Sequence, residues 1–135
     1  MESNDDIIKV ARDWARNRAK EVSDKFLDPH SIDVTFTDFI GYEVGKIYDE
    51  VVPGMSLEML EQNDRYYVLK CLMDCTLSTH YHSTHSEIFV CVAGKMNDNI
   101  NSSLEITKGQ TLVYNAGVKH EPTGQAELII IGIKG

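Results

Sequence analysis

The sequence predicts a mainly β, single-domain protein, an antiparallel sandwich or barrel preceded by one amphipathic helix. Three observations lead there. From Ser31 onward the chain breaks into short runs rich in β-branched and aromatic residues, among them "RYYVLKCLM", "EIFVCVA", "TLVYN" and "ELIIIGI", the composition that suits a pleated, half-buried surface. Between them stand "VVPGM", "EQND", "AGKMNDN", "TKG", "NAGVKH" and "PTGQ", whose Gly, Pro, Asn and Asp supply turn chemistry. Only the opening stretch has a helical period, so the strands have no crossover helices and pair antiparallel.

The elements follow in chain order. Ile7, Ile8, Ala11, Trp14, Ala15, Ala19, Val22 and Phe26 recur at three- and four-residue steps, with Asp5, Lys9, Arg12, Asp13, Arg16, Lys20 and Asp24 on the other side. This pattern predicts a helix over residues 1–28 that packs its apolar stripe on the domain. Pro29 ends it by disfavouring helical geometry at Asp28. The remainder, residues 29–135, forms the β domain, with strands expected in "IDVTFTDF" and "YEVGKIY" as well as in the later runs. In "SEIFVCVAG" the residues Ile88, Val90 and Val92 are as apolar as Phe89 and Cys91, so both faces of that strand are expected to be covered, by the helix or by a second copy of the chain in a homodimer. Deleting residues 1–28 is therefore expected to expose apolar surface and cause aggregation or loss of association. A soluble truncation of unchanged mass and stability in light scattering and thermal melts would contradict it.

Composition limits the function classes. A chain of 135 residues with 42% hydrophobic content makes one core. A formal net charge of -8 argues against a nucleic-acid partner, which would select clustered Lys and Arg. The longest apolar run, "LIII", is too short to span a bilayer, and three cysteines without close-spaced pairs make no disulfide framework. A cytoplasmic protein that meets a small molecule is the expectation.

The chemistry concentrates in "HYHSTHSEIFVCVAG", where His80, His82 and His85 lie within six positions and Glu87 follows. A metal site, an acid/base pair and a polar turn all remain open for such a cluster. Strand alternation lets His80 and His82 share one target while Tyr81 faces away. A turn through "STHS" then allows Glu87 to approach from the neighbouring strand, and His120, after the turn that holds Gly117, supplies a further nitrogen. His85 falls in the expected turn, where it takes a solvent-facing or supporting role or, as the alternative, ligates in place of another group. Cys71 and Cys75 are spaced for packing, and Cys91 faces the interior, filling the core or lining a pocket.

Together, "HYHSTHSEIFVCVAG" and "GQTLVYNAGVKH" resemble the two conserved stretches of the cupin superfamily. His80, His82, Glu87 and Gly94 match the first, and Gly109, Gly117 and His120 match the second. Asn115 stands where proline is usual, Gly124 where asparagine is common, and Asp74 where a glycine is expected; these departures concern turns. The resemblance implies a small cupin barrel, a double-stranded β-helix or jelly roll, holding one divalent ion through His80, His82, Glu87 and His120. Imidazole with carboxylate suits Fe, Mn, Ni, Co or Zn, and four ligands on a six-coordinate ion leave positions for substrate, water or oxygen. The implied activity is that of a metal-dependent enzyme on a small polar molecule, of dioxygenase, isomerase, lyase or decarboxylase type. Tyr66, Tyr67, Tyr114 and His85 are candidate general bases. The alternative is a binding or regulatory module that captures a ligand at the same ion without turnover. Since free imidazoles protonate, metal binding is expected to weaken near pH 5.

Overall fold

The computed structural model describes residues 33–101 and 104–135. The helix expected over residues 1–28 lies outside these residues. The first described element is a single helical turn, Phe36–Phe39, followed by seven strands: β1 (Ile47–Val52), β2 (Met55–Gln62), β3 (Tyr66–Thr76), β4 (His85–Asp98), β5 (Glu105–Thr107), β6 (Thr111–Tyr114) and β7 (Pro122–Lys134). They form one antiparallel sheet in the order β1-β2-β3-β7-β4-β5, with β6 also on β4. The closed barrel expected from the sequence is corrected to an open sheet among the described residues. β5 and β6 are too short to start a second layer of their own, and both pair with the long β4, on Lys95–Asn97 and Glu87–Val90 respectively.

Several expected boundaries move. "IDVTFTDF" ends as a helical turn, because the Asp38 carboxylate accepts the Thr35 backbone N–H at 2.8 Å and so favours a turn over extended pairing. "AGKMNDN" and "PTGQ" were expected to be turns and are strand: Lys95 through Asp98 pair with Gln125 through Pro122. Turn-forming residues are tolerated there because a bulge between Cys91 and Ala93 bends β4 at Gly94, whose φ is 78° and whose Cβ, were there one, would collide with the Gln125 carbonyl. The bulge also reverses the alternation: His85, Glu87, Phe89 and Cys91 are buried before it, Met96 and Asp98 after it.

The buried face carries the core: Leu69 and Cys71 on β3, Leu128 and Ile130 on β7, Phe89 and Cys91 on β4. Cys91 belongs to this cluster, and its thiol donates to the Ala93 carbonyl at 3.4 Å. Cys71, Cys75 and Cys91 are all free thiols; burial pushes the Cys71 thiol up to about 12. On the opposite face Ile88 and Val90 are half-buried and Val92 is exposed. No helix among the described residues is long and apolar enough to cross a membrane.

Candidate metal centre

His80 and His120 lie opposite one another in an isolated antiparallel bridge, exchanging both backbone hydrogen bonds at 3.0 and 2.8 Å. Such a pair projects its side chains to the same side, and the two rings meet edge to face, 4.3 Å between centroids. His82 follows two residues on, its carbonyl accepting the Gly117 N–H at 2.9 Å. Glu87 is carried by β4 opposite both Gly132 of β7 and Tyr114 of β6. All four side chains expected as ligands are buried, and so is His85.

The hydrogen bonds on the outer ring nitrogens fix what the inner ones offer. His80 Nδ1 faces the Ser78 carbonyl at 2.7 Å, His82 Nδ1 the Val34 carbonyl at 2.7 Å, and His120 Nδ1 the Val118 carbonyl at 3.0 Å. A carbonyl only accepts, so each Nδ1 carries a hydrogen, and each neutral ring presents an Nε2 lone pair. Ligating histidines are held and oriented in this way. Ligand atoms of His80, His82 and His120 lie within 4.8 Å of one another, as do those of His82, His85 and Glu87, so His82 joins the two groups. Its Nε2 is 3.2 Å from His120 Nε2 and 2.6 Å from Glu87 Oε1, and His120 Nε2 is 3.7 Å from the same oxygen.

This donor set fits a divalent ion. Nε2 of His82 and Nε2 of His120 both lack a hydrogen in the neutral rings, so their 3.2 Å approach sets lone pair against lone pair unless a cation or a proton lies between. Two nitrogens bound at right angles, each about 2.1 Å from one ion, are about 3 Å apart.

Electrostatics agrees. Burial by itself would depress the His82 pKa, but the Glu87 carboxylate outweighs it and the ring is raised above its usual 6.5. His80 is lowered to about 3 by burial and by the neighbouring His120 and His82. Burial works to raise Glu87, yet His82 and His120 hold it well below the usual carboxylate range. The centre is a carboxylate that stays ionised beside His82, whose charged form it favours, and near His80, whose charged form burial disfavours, an arrangement that a divalent cation satisfies.

Around these four stand further residues, of which the sequence reading named Tyr114 but not Asp33, Val34, Phe39 or Asp98. The segment from Asp33 to Phe39 closes one side: Val34 holds His82, Phe39 lies 5.8 Å from the His82 and His85 rings, and Asp33 accepts from the Ser83 hydroxyl at 2.7 Å. Tyr114 stacks on His120, 4.2 Å between centroids at 13°, and donates to the buried Asp98 at 2.7 Å. Contacts between segments distant along the chain, among them the bridge of Asp33 with Tyr81 and the pairing of Tyr114 with Glu87, bring these neighbours together, and no spacing along the chain signals them. His85, expected in a turn with a solvent-facing or supporting role, instead opens β4 and is 1% exposed. Its parity with Glu87 puts both on the buried face. Of the candidate bases, Tyr67 and Tyr114 are buried near the centre, whereas Tyr66 faces outward and donates to Glu61.

No family model matches the sequence, and no curated protein matches it. Solved structures do. The chain is similar to KdgF from a Halomonas species, with a TM-score of 0.59 and 14% identity over 67% of this chain and 86% of that one. It is similar to an RmlC-like cupin from Shewanella frigidimarina, with a TM-score of 0.57 and 22% identity over 66% and 82%. An acetylacetone dioxygenase from Acinetobacter johnsonii aligns over 60% of each chain, with a TM-score of 0.51 and 10% identity. Identities this low carry the fold alone, and that fold is the cupin fold.

Proposed function

We propose that this chain is a divalent-metal-dependent cupin enzyme acting on a small polar molecule, with His80, His82, Glu87 and His120 as the ligands. The observation that carries the reading is that three buried imidazoles each spend Nδ1–H on a backbone carbonyl and turn Nε2 toward one another beside a buried carboxylate. A bound ion would supply Lewis acidity and coordination positions for the substrate. The protein's own groups do the rest. Three neutral imidazoles and one carboxylate leave a divalent centre with a net positive charge, which favours an anionic or chelating oxygen ligand. Phe36, Phe39 and Tyr67 pack around His82 and His85 and keep water from the carboxylate side, where electrostatic interactions are then stronger.

The test is elemental analysis of protein purified without added metal, followed by the Glu87→Gln variant. Glutamine preserves size and one oxygen donor but removes the charge. The expected result is stoichiometric metal in the parent protein, a folded variant that keeps much of it, and cobalt spectra that shift when small carboxylates are added to the parent. A parent protein free of metal, or a cobalt form deaf to every such probe, overturns the reading. Turnover of a captured ligand separates the enzyme from a binding module.

A further inference from the structure

Across the buried face, one row of the sheet runs Tyr67 on β3, Gly132 on β7, Glu87 on β4 and Tyr114 on β6. Tyr67 and Glu87 are thus two strands apart, and β7 lies between them. Gly132 provides the passage. A Cβ at that position would fall inside the Tyr67 ring, against Cζ, Cε1 and the hydroxyl, so the phenol lies directly on the bare backbone of β7. It crosses that strand to donate to Glu87 Oε2 at 2.7 Å.

The same hydroxyl is 2.8 Å from His85 Nε2. Tyr67 has one hydrogen, and an ionised carboxylate can only accept it, so His85 Nε2 is the donor to Tyr67. His85 Nδ1 then accepts from the Thr84 hydroxyl at 3.3 Å, and that oxygen accepts the Phe36 N–H at 2.8 Å. Every hydrogen has a place in a chain running from Phe36 through Thr84, His85 and Tyr67 to Glu87. The Tyr67 ring is held from above by Phe39, stacked at 4.7 Å, and is fully buried.

We propose that Tyr67, admitted by Gly132 and braced by His85, is a positioning residue that occupies Glu87 Oε2 and so makes Glu87 a one-oxygen ligand, offering Oε1 alone to the metal. This rests on the metal-centre reading above. It also assigns His85: its Nε2 is spent on Tyr67, so His85 braces the carboxylate and is not a fifth ligand. A second oxygen on the ion would take a position that substrate needs, and the Tyr67 hydroxyl keeps that position free.

The experiment is cobalt(II) titration against a competing chelator for the parent, Tyr67→Phe, Gly132→Ala, Glu87→Ala and the double variant Tyr67→Phe/Glu87→Ala, with visible absorption recorded for each. Tyr67→Phe removes one oxygen and leaves the stacked ring, and circular dichroism checks that the sheet survives. The expected loss in affinity is about 10- to 100-fold, the usual effect of removing a group that orients a ligand, with a changed cobalt band as Glu87 turns. Gly132→Ala moves the ring and gives a loss in the same direction. In the Glu87→Ala background the Tyr67 change costs nothing further, because a residue acting through Glu87 has nothing left to act on. Failure of cobalt uptake by the parent overturns the metal centre and this assignment together. Uptake with an unchanged affinity and spectrum in Tyr67→Phe, or losses that simply add in the double variant, overturns this assignment alone.

Discussion

His82→Ala is expected to leave the protein without bound divalent metal, the largest single effect of any substitution at the centre. His82 is common to both groups of converging ligand atoms, and its Nε2 lies within 2.6 Å of Glu87 Oε1 and 3.2 Å of His120 Nε2. Losing it removes a donor and leaves His120 Nε2, 3.7 Å from Oε1, as the carboxylate's imidazole neighbour there. Affinity should fall by more than the about 10- to 100-fold that supporting residues contribute, and elemental analysis of purified variant and parent reads it directly. The metal-free variant also keeps a buried Glu87 carboxylate that has lost its nearest partner, and breaking a buried pair from one side costs about 3–5 kcal/mol. The thermal midpoint should fall as well. His80→Ala and His120→Ala should lose metal too, and metal content equal to that of the parent in all three variants would remove the centre from consideration.

The second large effect is of pH, and it has two parts. Metal must displace a proton from His82, whose pKa is raised above 6.5 by Glu87 despite its burial. Apparent affinity for cobalt is therefore expected to begin falling at a pH above 6.5, by about tenfold per unit below the raised value. That onset is earlier than the pH 5 expected from free imidazoles. A flat affinity between pH 5 and 8 would count against His82 as a ligand.

Stability of the metal-free chain moves with different groups. His80 and His85, lowered to about 3 and about 4 chiefly by burial, take protons in the unfolded chain below 6.5 but not in the folded one, so their effect is destabilisation that grows as pH falls from 6.5 toward those values. Glu87, lowered, contributes stability that is present above 4.5 and is lost as pH falls through its folded value. His82, raised, acts oppositely: its contribution is complete below 6.5 and fades as pH rises through its folded value. Between pH 6.5 and 4.5 only His80 and His85 change their contribution, because that of His82 is already complete; Glu87 adds to the loss below 4.5. Thermal melts of metal-free protein should fall steeply from pH 6.5 to 4, by on the order of several kcal/mol in stability, and a midpoint that rises over that interval would contradict the placement of His80 and His85.

What the sequence by itself determined is what depends on spacing along one strand or one turn. Two histidines one residue apart share a side, and Glu87 shares parity with Phe89 and Cys91; each follows from the period of an extended chain. The β class came within reach for that reason, whereas the grouping of His80, His82, Glu87 and His120 as one ligand set is an expectation from the resemblance to cupins. The tertiary structure decided everything that depends on which strands become neighbours. That His80 faces His120, that Val34 holds His82, and that Tyr67 reaches Glu87 across Gly132 are consequences of pairing between segments up to 65 residues apart, as between Tyr67 and Gly132. Parity could not carry the reading past the bulge at Cys91 and Ala93, since one extra residue exchanges the two faces and turns "AGKMNDN" from an expected loop into the second half of β4. His85 shows both limits at once: its parity was legible, but its partner, a tyrosine two strands away, exists only once β7 lies between β3 and β4 and offers a glycine in that row.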